Sequence, residues 1–144
     1  MLMGHTPARI LRGLSELKAM TWRERALLAQ ATALLPMAKL AGDTIARYGV
    51  TRRSPAEATD PRAERLARRT ARLVALASTA LPWHFSCLQR SAVLHLLLRQ
   101  QRIQADLRIG VRRNEGSFEA HAWVEIAGQP INDAPGIAND FLPF

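Results

Sequence analysis

At 144 residues the chain is long enough for one domain with a real core and too short for two full ones. A single cysteine excludes an intramolecular disulfide framework and a cysteine-rich zinc site, and fits a reducing cytoplasm. The net charge of +8 sits in the first part: residues 1–59 carry nine Lys/Arg against four Asp/Glu, residues 60–86 five against two, and residues 87–144 six against six.

Residues 8–20 give an amphipathic helical pattern with Ile10, Leu14 and Leu17 on one face. Thr21-Trp22-Arg23-Glu24 reads as a capping box opening a second helix, in which Leu27, Ala31 and Leu34 recur at helical spacing. Pro36 is expected to kink or end that helix, whose pattern resumes to about Tyr48. Gly49 to Asp60 is the linker candidate. Asp60-Pro61 then starts a helix with a capping carboxylate and a proline at its first position. Leu66, Leu73, Ala77 and Ala80 form its apolar stripe. Arg62, Arg65, Arg69 and Arg72 line one flank, where solvation or pairing with acidic neighbours is expected. Pro82 stops it, and Trp83-His84-Phe85-Ser86 leads to Cys87.

From Cys87 to about Arg102 the period is again helical and apolar on several sides, the pattern of a central helix. The period then changes to two. Ala105, Leu107, Ile109 and Val111 mark one strand, and Asn114 to Ser117 a turn. Phe118, Ala120, Ala122, Val124 and Ile126 form one face of a second strand, with Glu119, His121, Trp123 and Glu125 on the other. A third short strand is expected from Pro130 to Ala134. The tail, Pro135 to Phe144, reads as irregular, with Phe141, Leu142 and Phe144 tucked against the body. The fold class is α+β: a helical region over 1–59 and a core over 60–144, as one compact unit.

Cys87 heads its helix, where free amides and the positive end of the helix dipole favour a thiolate and can hold an oxyanion. A lone cysteine is more often a small buried hydrophobe, but a structural cysteine gains nothing from that position. His121 follows 34 residues later and Asp133 twelve after that. If Ala127 centres a hairpin loop of odd length, His121 and Asp133 face each other across two strands. A two-residue loop at Ala127-Gly128 would set Asp133 opposite Ala122, on the wrong face. An odd loop or a bulge is therefore required, with Asn132 and Asp140 as competing partners for the imidazole. His95 lies eight residues along the helix, roughly 12 Å from Cys87 by rise alone, too far to take its proton. His84 has no obvious carboxylate to orient it, and His5 lies in the terminus.

Cys87-Leu88-Gln89-Arg90-Ser91, Ile109-Gly110-Val111-Arg112, Phe118 to Glu125 with its His121-Ala122-Trp123-Val124-Glu125, and Asn132-Asp133 together resemble the transglutaminase-like leader peptidases of lasso-peptide biosynthesis. The resemblance covers roughly residues 80–144 closely and the helical part only in general character. It implies a papain/transglutaminase-like fold with the cysteine heading a central helix on an antiparallel sheet. It also implies a Cys87, His121, Asp133 triad that needs no cofactor or metal. Trp83 and Trp123 are candidates for substrate binding, and Arg90 for a structural role or for anchoring a carboxylate. The implied task is removal of the leader from a ribosomally made precursor peptide, which frees the core's amine for a separate asparagine-synthetase-like cyclase. A separate PqqD-like protein is expected to capture the leader.

The basic first part reads as a solvated arginine-rich surface, or as a face for an acidic partner. No aromatic interleaving, zinc-finger spacing or recognition helix points to nucleic acid. The first residues lack a signal-peptide pattern, and the apolar run from Leu27 to Ala41 is too short and too interrupted to span a bilayer. Two other readings stay open: a transglutaminase-like amidase or acyltransferase on another peptide, and a non-catalytic basic adaptor.

Overall fold

The computed structural model describes residues 15–42, 44 and 60–143. The expected linker from Gly49 to Asp60, apart from Asp60 itself, and most of the first helical pattern lie outside the described residues. The architecture is α+β: among the described residues, which also include a helical stretch over 15–19, three long helices, α1 (Trp22–Ala41), α2 (Pro61–Ala80) and α3 (Cys87–Gln100), pack together with a four-stranded antiparallel sheet. Its strands are β1 (Asp106–Asn114), β2 (Ser117–Ile126), β3 (Gln129–Pro130) and β4 (Leu142–Pro143), in the order β3-β2-β1-β4. A four-residue helix, α4 (Ile137–Asp140), precedes β4.

The helix starts follow from their caps. Thr21 and Glu24 form the expected box, the Thr21 amide donating to Glu24 at 2.7 Å and the Glu24 amide to the threonine hydroxyl at 3.4 Å. Glu24 is buried and also pairs with Arg69 of α2, so this cap joins two helices as well as starting one. Pro36 does not end α1; the helix runs through it to Ala41, with Gly42 at φ 53° closing it. Asp60 accepts from the Arg62 amide at 2.9 Å and Pro61 takes the first position of α2. Leu81 ends α2 in an extended conformation, as the residue before Pro82 must.

The buried face of α2 differs from the expected stripe. Ala67, Thr70, Ala71, Leu73, Val74 and Ala77 are inside, whereas Leu66 and Ala80 are exposed. Small side chains let α2 approach its neighbours closely. They meet Ala31, Leu35 and Ala38 of α1, and Val93, Leu94, Leu97 and Leu98 of α3, in one core. Leu107, Val124 and Ile126 of the sheet close that core from below. Burying side chains of this size contributes on the order of 1.5–3 kcal/mol each.

The sheet is buried on both faces over its centre. α3 covers the face of Ala122 and Val124, as alternation predicts. On the other face Trp123 and Glu125 are also buried, because the C-terminal segment folds across it and brings Phe141 against Trp123. That segment is not irregular: α4 leads into β4, which pairs with β1 at Gly110 and Val111. Phe141 is buried as expected, but Leu142 is exposed.

Candidate active site

Ser86 caps α3, its hydroxyl accepting from the Gln89 amide at 3.2 Å while the Gln89 side chain accepts from the Ser86 amide at 3.0 Å. The Ser-x-x-Gln spacing is the sequence signal of this capping box, one that sequence reasoning missed. The box satisfies the third amide of the helix. The amides of Cys87 and Leu88 have no acceptor among the described residues and open toward the helix end. Cys87 is half-buried and is a free thiol.

One turn after Cys87, on the same helix face, the buried Ser91 hydroxyl donates to the carbonyl of Ala122 at 3.0 Å. That bond pins α3 to the strand residue next to His121. Cys87, Ser91, Ala122, His121, Asn132 and Asp133 therefore border one cleft of about 400 Å³, closed on its far side by α2.

His121 is held from three directions. Its Nε2 lies 2.5 Å from Asp133 Oδ2; with the carboxylate as acceptor, the hydrogen of this bond is on Nε2. The ring stacks on Trp123 at 6.2 Å between centroids and tilts against Phe141 at 5.2 Å. Trp123 in turn donates to the buried Glu125 at 2.8 Å, with Arg108 beyond it. Trp123 is fully buried, so it lies beneath the histidine and does not wall the cleft. Trp83 is half-exposed and outside the cleft lining. Neither tryptophan lines this cleft. Arg90 does border the cleft, exposed and without an ion-pair partner among the described residues.

The route by which Asp133 reaches His121 is neither an odd loop nor a strand partner. β2 and β3 pair as Ile126↔Gln129 and Glu125↔Pro130, a two-residue loop at Ala127-Gly128 with both residues at positive φ, 49° and 77°. Continued, that register would put Asp133 on the wrong face. It stops early instead. Ile131 still donates to the Val124 carbonyl at 3.0 Å, but the Val124 amide bonds the Asn132 side chain at 2.8 Å in place of a backbone carbonyl. The chain bends there, and Asp133 turns toward His121, its other oxygen accepting from the Ala134 amide at 2.8 Å. Asn132 also donates to Ser91 at 3.0 Å. The two residues considered for the same place thus divide the work: Asn132 binds backbone and helix, Asp133 binds the imidazole. Sequence reasoning did not pick out Ser91; its own signal was the i, i+4 spacing from Cys87 on an apolar helix.

The other histidine with a defined role is His95, buried, its Nε2 donating to the Ala105 carbonyl at 3.0 Å. Burial pushes its pKa below 6.5, so it is held neutral. It is outside the cleft lining.

Comparisons with known proteins agree with this architecture. A family model described as the transglutaminase-like superfamily matches residues 31–144, a span that begins within α1. The chain is 47% identical over 51 residues to the microcin J25-processing protein McjB of Escherichia coli. That match spans 35% of this chain and 24% of the relative's length. No solved structure matches the chain.

Proposed function

The chain belongs to the transglutaminase-like superfamily, and on that premise we propose that it is a cysteine peptidase that removes the leader from a lasso-peptide precursor. The observation that carries this reading is the His121–Asp133 pair, bound through Nε2, on the same cleft that Cys87 borders at the head of α3. The partial similarity to a protein named for processing microcin J25, and the blocks around Cys87, His121 and Asp133, support the substrate class.

In this mechanism the Cys87 thiol gives its proton to Nδ1 of His121 and its sulfur attacks the scissile carbonyl. Asp133 fixes the tautomer and offsets the imidazolium's charge. The amides of Cys87 and Leu88 receive the oxyanion. The C–N bond breaks as His121 returns the proton to the departing amine, which is the new N-terminus of the core peptide. The leader stays as a thioester on Cys87 until water, deprotonated by His121, attacks it and regenerates the thiol. A PqqD-like protein presents the leader, and an asparagine-synthetase-like cyclase consumes the freed amine.

The test is incubation of precursor, recognition protein and this chain, with the products weighed by mass spectrometry. Leader and core are expected as separate masses. Alkylation of the chain's single thiol should abolish them; full cleavage by the alkylated protein would refute the reading.

A further inference from the structure

The wall of the cleft opposite His121 is basic. Arg68 and Arg72 of α2 border it, and Arg90 stands one turn past Cys87 on α3. Among the described residues Asp133 is the one carboxylate on the cleft lining, and it is engaged by His121. Arg68 and Arg72 also border an adjoining groove between α2 and the start of α1, whose other charged residues are Arg65, Arg69, Glu16 and Glu24. Internal pairing removes part of this charge: Arg68 binds Glu64 at 2.8 Å and Arg69 binds Glu24. Arg65, Arg72 and Arg90 have no ion-pair partner among the described residues, against a single unpaired carboxylate, Glu16, in the second groove. The expected arginine flank is therefore divided, with one member tied to a capping glutamate and Arg72 turned to the nucleophile's cleft.

A solvated arginine needs no explanation. Two unpaired ones on the rim of a cleft that holds a nucleophile, continued by a third along a connected groove, form a site for an anion that runs as an extended chain. Guanidinium groups grip carboxylates through paired N–H donors, and a partly enclosed cleft screens that attraction less than open surface does. We propose that Arg72 and Arg90 form a carboxylate-binding subsite beside the scissile bond, continued along α2 by Arg65. The peptide held there presents an acidic side chain or a free C-terminal carboxylate. The subsite's part in catalysis rests on the peptidase reading above; its binding does not.

Binding is therefore measured on the full chain carrying Cys87→Ala. The probes are fluorescein-labelled ten-residue peptides of one Ala/Ser/Gly background with a central Glu, Gln or Lys, each as free acid and as C-terminal amide. By fluorescence anisotropy at low salt, the Glu amide should bind about ten-fold tighter than the Gln amide. A preference that follows the free acid instead assigns the subsite to a chain terminus. Arg72→Glu with Arg90→Glu should invert the order in favour of Lys, a gain that misfolded protein cannot produce. Should that double variant not fold, Arg90→Gln alone should reduce the carboxylate preference several-fold. Equal binding of every peptide by the parent, an unchanged order on charge reversal, or an unchanged preference in Arg90→Gln would each overturn the proposal. Because the protein tested is inert, failure of the peptidase reading appears in the cleavage assay and failure of the subsite appears here.

Discussion

The Asn132 side chain donates to the Ser91 hydroxyl at 3.0 Å across 41 positions of sequence, and through that bond the loop bearing Asp133 is tied to the helix bearing Cys87. Ser91 passes the connection on to Ala122, and Asn132 to Val124, so both ends of the bond grip the strand that carries His121. Removing either side chain strands a buried polar partner, at a cost of about 1–3 kcal/mol. Asn132→Ala and Ser91→Ala should each lower stability in urea titrations and reduce kcat more than they raise KM. A double-mutant cycle should give a coupling of about 0.5–3 kcal/mol, because the two share one bond.

Gly110 sits under the histidine's supports. A Cβ there would lie 2.8 Å from the Phe141 Cβ and 2.9 Å from the Trp123 ring. Gly110→Ala should therefore cost about 1–3 kcal/mol by overpacking. It should also disturb the ring stack beneath His121, visible as a changed tryptophan emission spectrum alongside reduced activity.

Asp133→Asn keeps a hydrogen-bonding side chain of the same shape but allows the wrong imidazole tautomer. Asp133→Ala leaves His121 without the partner that orients it. The rate of leader release should fall by about ten-fold to 10⁴-fold, with alanine the more severe, while the thermal midpoint changes little at these partly exposed side chains. An unaltered rate in Asp133→Ala would assign the orienting role elsewhere.

His95 makes stability pH-dependent. Its folded pKa is lowered by burial, whereas in the unfolded chain it titrates near 6.5. Below 6.5 the unfolded state binds the proton more readily, so the contribution present at neutral pH is lost as pH falls toward the folded value, and the loss levels off below it. Urea midpoints should decline through this window, and His95→Gln should flatten that part of the profile.

Much of this was readable beforehand where local chemistry decides the outcome. Thr21 with Glu24, and Asp60 with Pro61, start helices because their side chains satisfy free amides whatever lies beyond. The change of period near Ala105 marks the passage from helix to sheet for the same reason. What escaped reading depended on contacts distant in sequence or on one unusual backbone angle. Ala127 at φ 49° offers no glycine signal for a two-residue loop. Asn132 ends the ladder only because Val124 and Ser91 are both there to bind it. Burial of Trp123 depends on Phe141, contributed by the tail that follows α4. The pairing of His121 with Asp133 was reached from the sequence through a register the structure does not adopt.

Whether Cys87 and His121 act as one unit is read from the rate of leader release by Cys87→Ala, His121→Ala and the double variant. Each single substitution should remove nearly all activity and the double should lose little more, since half a catalytic pair does no better than none. Substantial leader release by Cys87→Ala, or losses that simply multiply in the double variant, would contradict their joint action.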